Sequence, residues 1–156
     1  MTPAIDEIKT RARLQVNAGR RAGHACKLRD CLQTVARELG FSHWEHARRV
    51  LVGLAAPGDD MGGLWHVPAC NAYLNQWFAD GLTARLAREK SGGYLLPYRR
   101  QFVVVQAEYI RELGLDPANA AWADIGRDLV AAYASDGWRA LCGDRVKATA
   151  RTLTSG

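Results

Sequence analysis

Apolar positions recur at three- and four-residue steps over much of the chain and alternate in only one stretch. Leu28, Cys31, Leu32, Val35, Ala36 and Leu39 trace one face of a helix that Gly40 ends. Before it, Pro3, Ile5, Ile8 and Ala12 predict a first helix running to about Ala18, where "NAGRRAG" interrupts the pattern. After it, Ser42 opens a third helix as cap, with Glu45 reaching back to it and Trp44, Ala47, Leu51 and Leu54 facing inward. Pro68 suits the first turn of a long helix with Cys70, Tyr73, Leu74, Trp77, Phe78, Leu82 and Leu86 on its apolar face, ended by "SGG" at 91–93. "YLLPYRRQFVVVQ", 94–106, alternates and then turns β-branched, so it reads as a hairpin or one bent strand, with Pro97 at an edge or bend. A short helix through Tyr109, Ile110 and Leu113 stops at Gly114. Asp116 and Pro117 then start one that aligns Trp122, Ile125, Leu129, Val130 and Tyr133, and Asp136 caps a last helix with Trp138, Leu141, Cys142 and Val146 before "TARTLTSG" frays.

These elements predict an α+β, predominantly α-helical fold. A basic three-helix lobe occupies 1–56, and a Trp-rich lobe with a small β-hairpin or short sheet occupies 57–156, the two also able to form one compact domain. "APGDDMGG", 56–63, marks the boundary as a hinge candidate. An isolated hairpin is marginal in water, so the strands must lean on helices or pair with another copy, which allows a homodimer.

Charge sharpens this division. The net charge is +5 over 156 residues, and residues 1–56 hold ten Lys or Arg against five Asp or Glu. The whole excess therefore lies in the first third, where long-range attraction and counterion release would favour nucleic acid or an acidic protein. Arg11, Arg13, Arg20, Arg21, Lys27, Arg48 and Arg49 are the candidate contacts, with Lys9 and Arg29 extending the surface. The charged start "MTPAIDEIKTRAR" lacks a signal core and no apolar run reaches membrane-spanning length, so a cytoplasmic protein without membrane partners is expected.

The segment from "IDEIKTRARLQVNAGRRAG" through "LRDCLQTVARELGFSHWEHARRVL" resembles a small helical domain of bacterial proteins known as the glyoxalase-related domain. The match rests on Ala36, Arg37, Gly40, Phe41 and Trp44 at a turn between two helices. The resemblance covers about the first third and implies a compact helical module of bacterial origin. It does not imply lactoylglutathione chemistry, because glyoxalase enzymes hold a metal on the strands of repeated βαβββ units, and only one β region is expected here.

"ARELGFS" also has the order of a DNA-binding helix-turn-helix. Trp44 in the first turn of the following helix belongs to a core, and Arg48 and Arg49 point about 100° apart, so phosphate contact is expected rather than base reading. The competing expectation is a small enzyme or ligand-binding protein whose anionic-ligand pocket is lined by Trp65, His66, Asn71, Asn75, Tyr94, Tyr98 and Arg99. No nucleophile with an adjacent base, HExxH pair, phosphate loop or dinucleotide fingerprint occurs, so no catalytic residue or cofactor is assigned. His24, Cys26, Cys31, His66 and Cys70 lack zinc-site spacing, no metal site is expected, and the four cysteines read as reduced thiols.

Overall fold

In a computed structural model, residues 2–154 are described, with side chains to Ala150. Seven α-helices and one three-stranded antiparallel sheet make up the described chain: α1 Pro3–Arg21, α2 Leu28–Glu38, α3 Trp44–Leu51, β1 Gln76–Phe78, α4 Gly81–Ser91, β2 Tyr94–Tyr98, β3 Gln101–Val105, α5 Ala107–Glu112, α6 Ala120–Asp124 and α7 Asp136–Thr154. A 3-10 turn, Pro68–Ala72, precedes β1. The fold is thus predominantly helical α+β. None of the described helices is long and apolar enough to cross a membrane.

One apolar core draws on both ends of the sequence. Ile5 and Ile8 of α1, Val35 of α2 and Leu51 of α3 pack in the same cluster as Leu96, Val103, Tyr109, Trp122, Trp138 and Leu141. The amphipathic faces of α1 and α7 supply a long mutual contact, so the first helix is buried by the last. Burial of this kind, non-directional and scaling with apolar area, joins segments that the charge pattern separates.

The α2–α3 connection is fixed by glycine. Gly40 has φ +94°, and a Cβ there would lie 2.7 Å from the Gly63 carbonyl carbon. The approach lets Gly63 N–H donate to Gly40 O at 2.8 Å. Gly62, also left-handed, lies under the Phe41 ring. The 56–63 segment is strapped further by His46, whose Nδ1 accepts the Ser42 N–H at 3.0 Å and whose Nε2–H donates to Asp60 O at 2.7 Å. On its other side Met61 N–H donates to Arg99 O and Arg99 N–H to Gly62 O.

Several expected elements differ. α1 runs on through the "NAGRR" stretch to Arg21, and Gly19 there leaves room for the His24 carbonyl, which would stand 2.5 Å from a Cβ. The cap of α3 is His43, whose Nδ1 accepts the His46 N–H, not Ser42, and Glu45 binds Arg48 instead of reaching back. Leu54, expected inward, is exposed. The long helix from Pro68 does not form. Asp80 accepts the N–H and hydroxyl of Thr83 and so caps a separate α4, while Gln76–Phe78 pairs with β3 as a strand. Leu74, Leu82 and Leu86, expected on a buried face, are exposed, Leu74 to 91%.

The β segment is a hairpin with a two-residue connection, Arg99 and Arg100, and the sheet order is β1-β3-β2. Pro97 lies in β2, an edge strand. The helix expected through Tyr133 ends at Asp124, because Gly126 and Arg127 take positive φ and carry the chain alongside β2, where Leu95 and Asp128 form a parallel bridge. The expected fray at 149–156 is helical to Thr154, and its last two residues lie outside those described.

Candidate functional site

Two regions carry unspent chemistry. The first is the corner formed by α1 and the start of α2. Lys9, Arg13 and Arg20 lie within about 40° of one another around α1, and Arg21, Lys27 and Arg29 continue around the helix end. All six are exposed. Among the described residues none of them lies within ion-pair distance of a carboxylate; the ion pairs found use Arg11, His46, Arg48, Arg49 and Arg85. Arg20 and Arg21 also complement the negative end of the α1 dipole.

Three of the expected surface cations are otherwise engaged. Arg11 turns inward, donates to Val146 O of α7 and lies 3.7 Å from Glu7, and burial lowers the pKa of its guanidinium. Arg48 is clasped by Glu45, and Arg49 is 3.7 Å from Asp59. Of the seven candidates, Arg13, Arg20, Arg21 and Lys27 remain as an open surface.

The start of α3 gives no base-reading edge. Trp44 is half-buried and its side chain packs against the core, while its backbone N–H donates to Gln33 Oε1 at 2.7 Å. A side chain so placed cannot enter a groove.

The second region is built on His66. Its Nδ1 lies 2.9 Å from Tyr109 Oη, and Tyr109 O–H donates to the buried Trp65 O at 2.7 Å. The single hydroxyl proton is therefore committed, the Tyr109 oxygen accepts from Nδ1–H, and Nε2 of the neutral ring is left as an acceptor. Tyr98 and Trp77 pack against the ring edge-on, with centroids 5.3 and 5.8 Å away. Burial lowers the His66 pKa, which keeps the ring neutral near pH 7, and burial also raises the Tyr109 and Cys70 pKa values.

A cleft of about 280 Å³ opens beside this ring, lined by Arg37, Glu38, Leu39, Gly40, Gly63, Val67, Pro68, Arg145 and Thr149 as well as His66. Arg145 of α7 is only 5% exposed. Its Nε donates to Leu64 O at 2.8 Å and Nη1 to Leu113 O at 2.9 Å, and desolvation pulls its pKa down to about 10. No carboxylate among the described residues pairs with it.

The pocket expected from sequence is assembled only in part. His66 and Tyr98 meet. Trp65 is buried in the core and contributes a carbonyl, Asn71 is exposed on the 3-10 turn, and Asn75 donates to Cys70 O. Tyr94 sits at the far end of β2, bonded to Pro117 O and packed on Trp122. Arg99 turns over Tyr98 and lines a separate apolar depression with Pro57, Met61 and Tyr133. Tyr109, Trp77 and Arg145 were not expected. Arg145 had a legible signal, since it falls seven residues after Trp138 and so on the apolar stripe of α7.

Cys31, Cys70 and Cys142 are buried and Cys26 is exposed, all four as free thiols. No group of three or more His, Cys, Asp or Glu that could hold a metal occurs among the described residues. No family model, curated protein or solved structure matches the chain.

Proposed function

We propose that this chain is a non-catalytic binding protein whose basic α1–α2 corner docks onto the phosphate backbone of nucleic acid. The carrying observation is the set of six exposed cations, Lys9, Arg13, Arg20, Arg21, Lys27 and Arg29, that no carboxylate of the described residues pairs. Four of the six are arginines, whose planar fork suits phosphate oxygens. With Trp44 turned into the fold and Arg48 held by Glu45, the contacts are to backbone and not to base edges, so binding is independent of sequence.

Fluorescence anisotropy with labelled duplex and single-stranded DNA and RNA over a salt series tests this. Four phosphate contacts give a log–log slope of about −4 on duplex. The Arg20→Gln, Arg21→Gln variant should flatten that slope by about 2. The Arg48→Gln, Arg49→Gln variant, equal in charge, should bind as the wild type does. Absence of binding at low salt rejects the proposal and points to an acidic protein as the occupant of this corner. A equal loss in both variants rejects the assignment of the surface.

A further inference from the structure

The cleft beside His66 has no part in the docking surface, yet it contains a buried guanidinium that no carboxylate of the described residues pairs. A guanidinium removed from water is expected to face a counter-charge. Arg145 is 5% exposed and faces two backbone carbonyls, which satisfy hydrogen-bond donors without neutralising the charge. Those bonds use Nε and one side of Nη1 and leave Nη2 outside both. Arg145 lines the cleft, as does His66, whose ring is fixed by Tyr109 with Nε2 as acceptor.

From this arrangement we infer that the cleft between the α2–α3 turn, the 63–68 segment and α7 binds a small monocarboxylate that carries a hydroxyl near its acid group. Arg145 supplies the counter-charge, and Nε2 of His66 accepts the hydroxyl proton. The charges at the wall are Arg37, Glu38 and Arg145, a net single positive charge that matches a monoanion better than a phosphate dianion. Leu39, Val67 and Pro68 provide apolar wall for a short carbon chain. The cleft volume of about 280 Å³ lies near the lower end of the range for small-molecule sites, which suits a small acid.

The probes are 2-hydroxybutyrate and butyrate, which differ only in the hydroxyl, and inorganic phosphate. Each is titrated into the ¹⁵N-labelled full chain while the Arg145 Nε–Hε cross-peak and the His66 ring nitrogens are followed. The expected result is saturable shifts at both residues, with 2-hydroxybutyrate binding about fivefold tighter than butyrate. Arg145→Lys should weaken both acids by about tenfold. Because Arg145 also ties two carbonyls and its variant can fail to fold, His66→Phe is the second variant, expected to level the two acids. No saturable shift up to about 50 mM overturns the inference. So does equal affinity of the two acids in the wild type, and so does binding of phosphate alone.

Discussion

Removing one oxygen from Tyr109 isolates the bond network that orients His66. In Tyr109→Phe the ring and its packing against the core are retained, so the change is confined to the contacts of one hydroxyl, with Trp65 O, His66 Nδ1 and the Cys70 thiol. Trp65 O loses a 2.7 Å donor in a buried setting, and His66 Nδ1 loses its 2.9 Å partner. An unsatisfied buried carbonyl costs about 1–3 kcal/mol, and the bond to the half-buried imidazole contributes about 0.5–1.5 kcal/mol more. The expected destabilisation is about 2–4 kcal/mol. For a chain of this length it lowers Tm by about 4–16 °C. Urea unfolding followed by tryptophan fluorescence gives the free energy, and ¹⁵N chemical shifts of the His66 ring give its tautomer. The Nδ1–H form should dominate in the wild type and lose that dominance in the variant. A stability change within about 0.5 kcal/mol, together with an unchanged tautomer, would refute the reasoning, because a buried carbonyl cannot lose its donor at no cost.

Three further outcomes are expected. His66 has a pKa below its unfolded value, so its contribution to stability is fully present above about pH 6.5 and is lost as pH falls through the folded value. The difference in unfolding free energy between wild type and His66→Gln should therefore narrow on acidification, which urea titrations at pH 7.5 and pH 5 would measure (both about a unit or more from the unfolded value). Gly40→Ala should cost about 2–4 kcal/mol, because the added Cβ meets Gly63 at 2.7 Å and φ is +94°; thermal unfolding checks it. Asp128→Ala should cost a similar about 2–4 kcal/mol by stranding the N–H groups of Val130 and Ala131 and the Nε of Arg85, again by urea unfolding.

Legibility followed period. α2, α7 and the hairpin carry long or strict repeats, and Gly40 marks the stop of α2 with the left-handed φ that such a stop requires. The segment 68–86 failed for a specific reason. Its apolar residues fit a helical period, but the local cap at Asp80 and the pairing of Trp77 with Val103 divide it into a 3-10 turn, a strand and a helix. A three-residue strand is specified by its partner, and here the partner of Trp77 is Val103, beyond a whole intervening helix and strand. The turn at Gly126 and Arg127 likewise depends on Leu95 accepting and donating to it.

The candidate sites divide in the same way. Cation identity was legible, while the pairing that removes Arg11, Arg48 and Arg49 from the open surface depends on neighbours in space. The meeting of His66 with Tyr98 followed from two short aromatic stretches. Tyr109 read only as a core position of α5, although the same ring that packs the core also positions the imidazole through its hydroxyl.

The most direct test of the docking account is the salt dependence of nucleic-acid binding by the full chain, with the Arg20→Gln, Arg21→Gln variant measured beside Arg48→Gln, Arg49→Gln. The expected result is a slope of about −4 for wild type and the second variant, and about −2 for the first. Slopes that fall alike in both variants, or no binding at low salt, would contradict a phosphate-binding corner at α1 and α2.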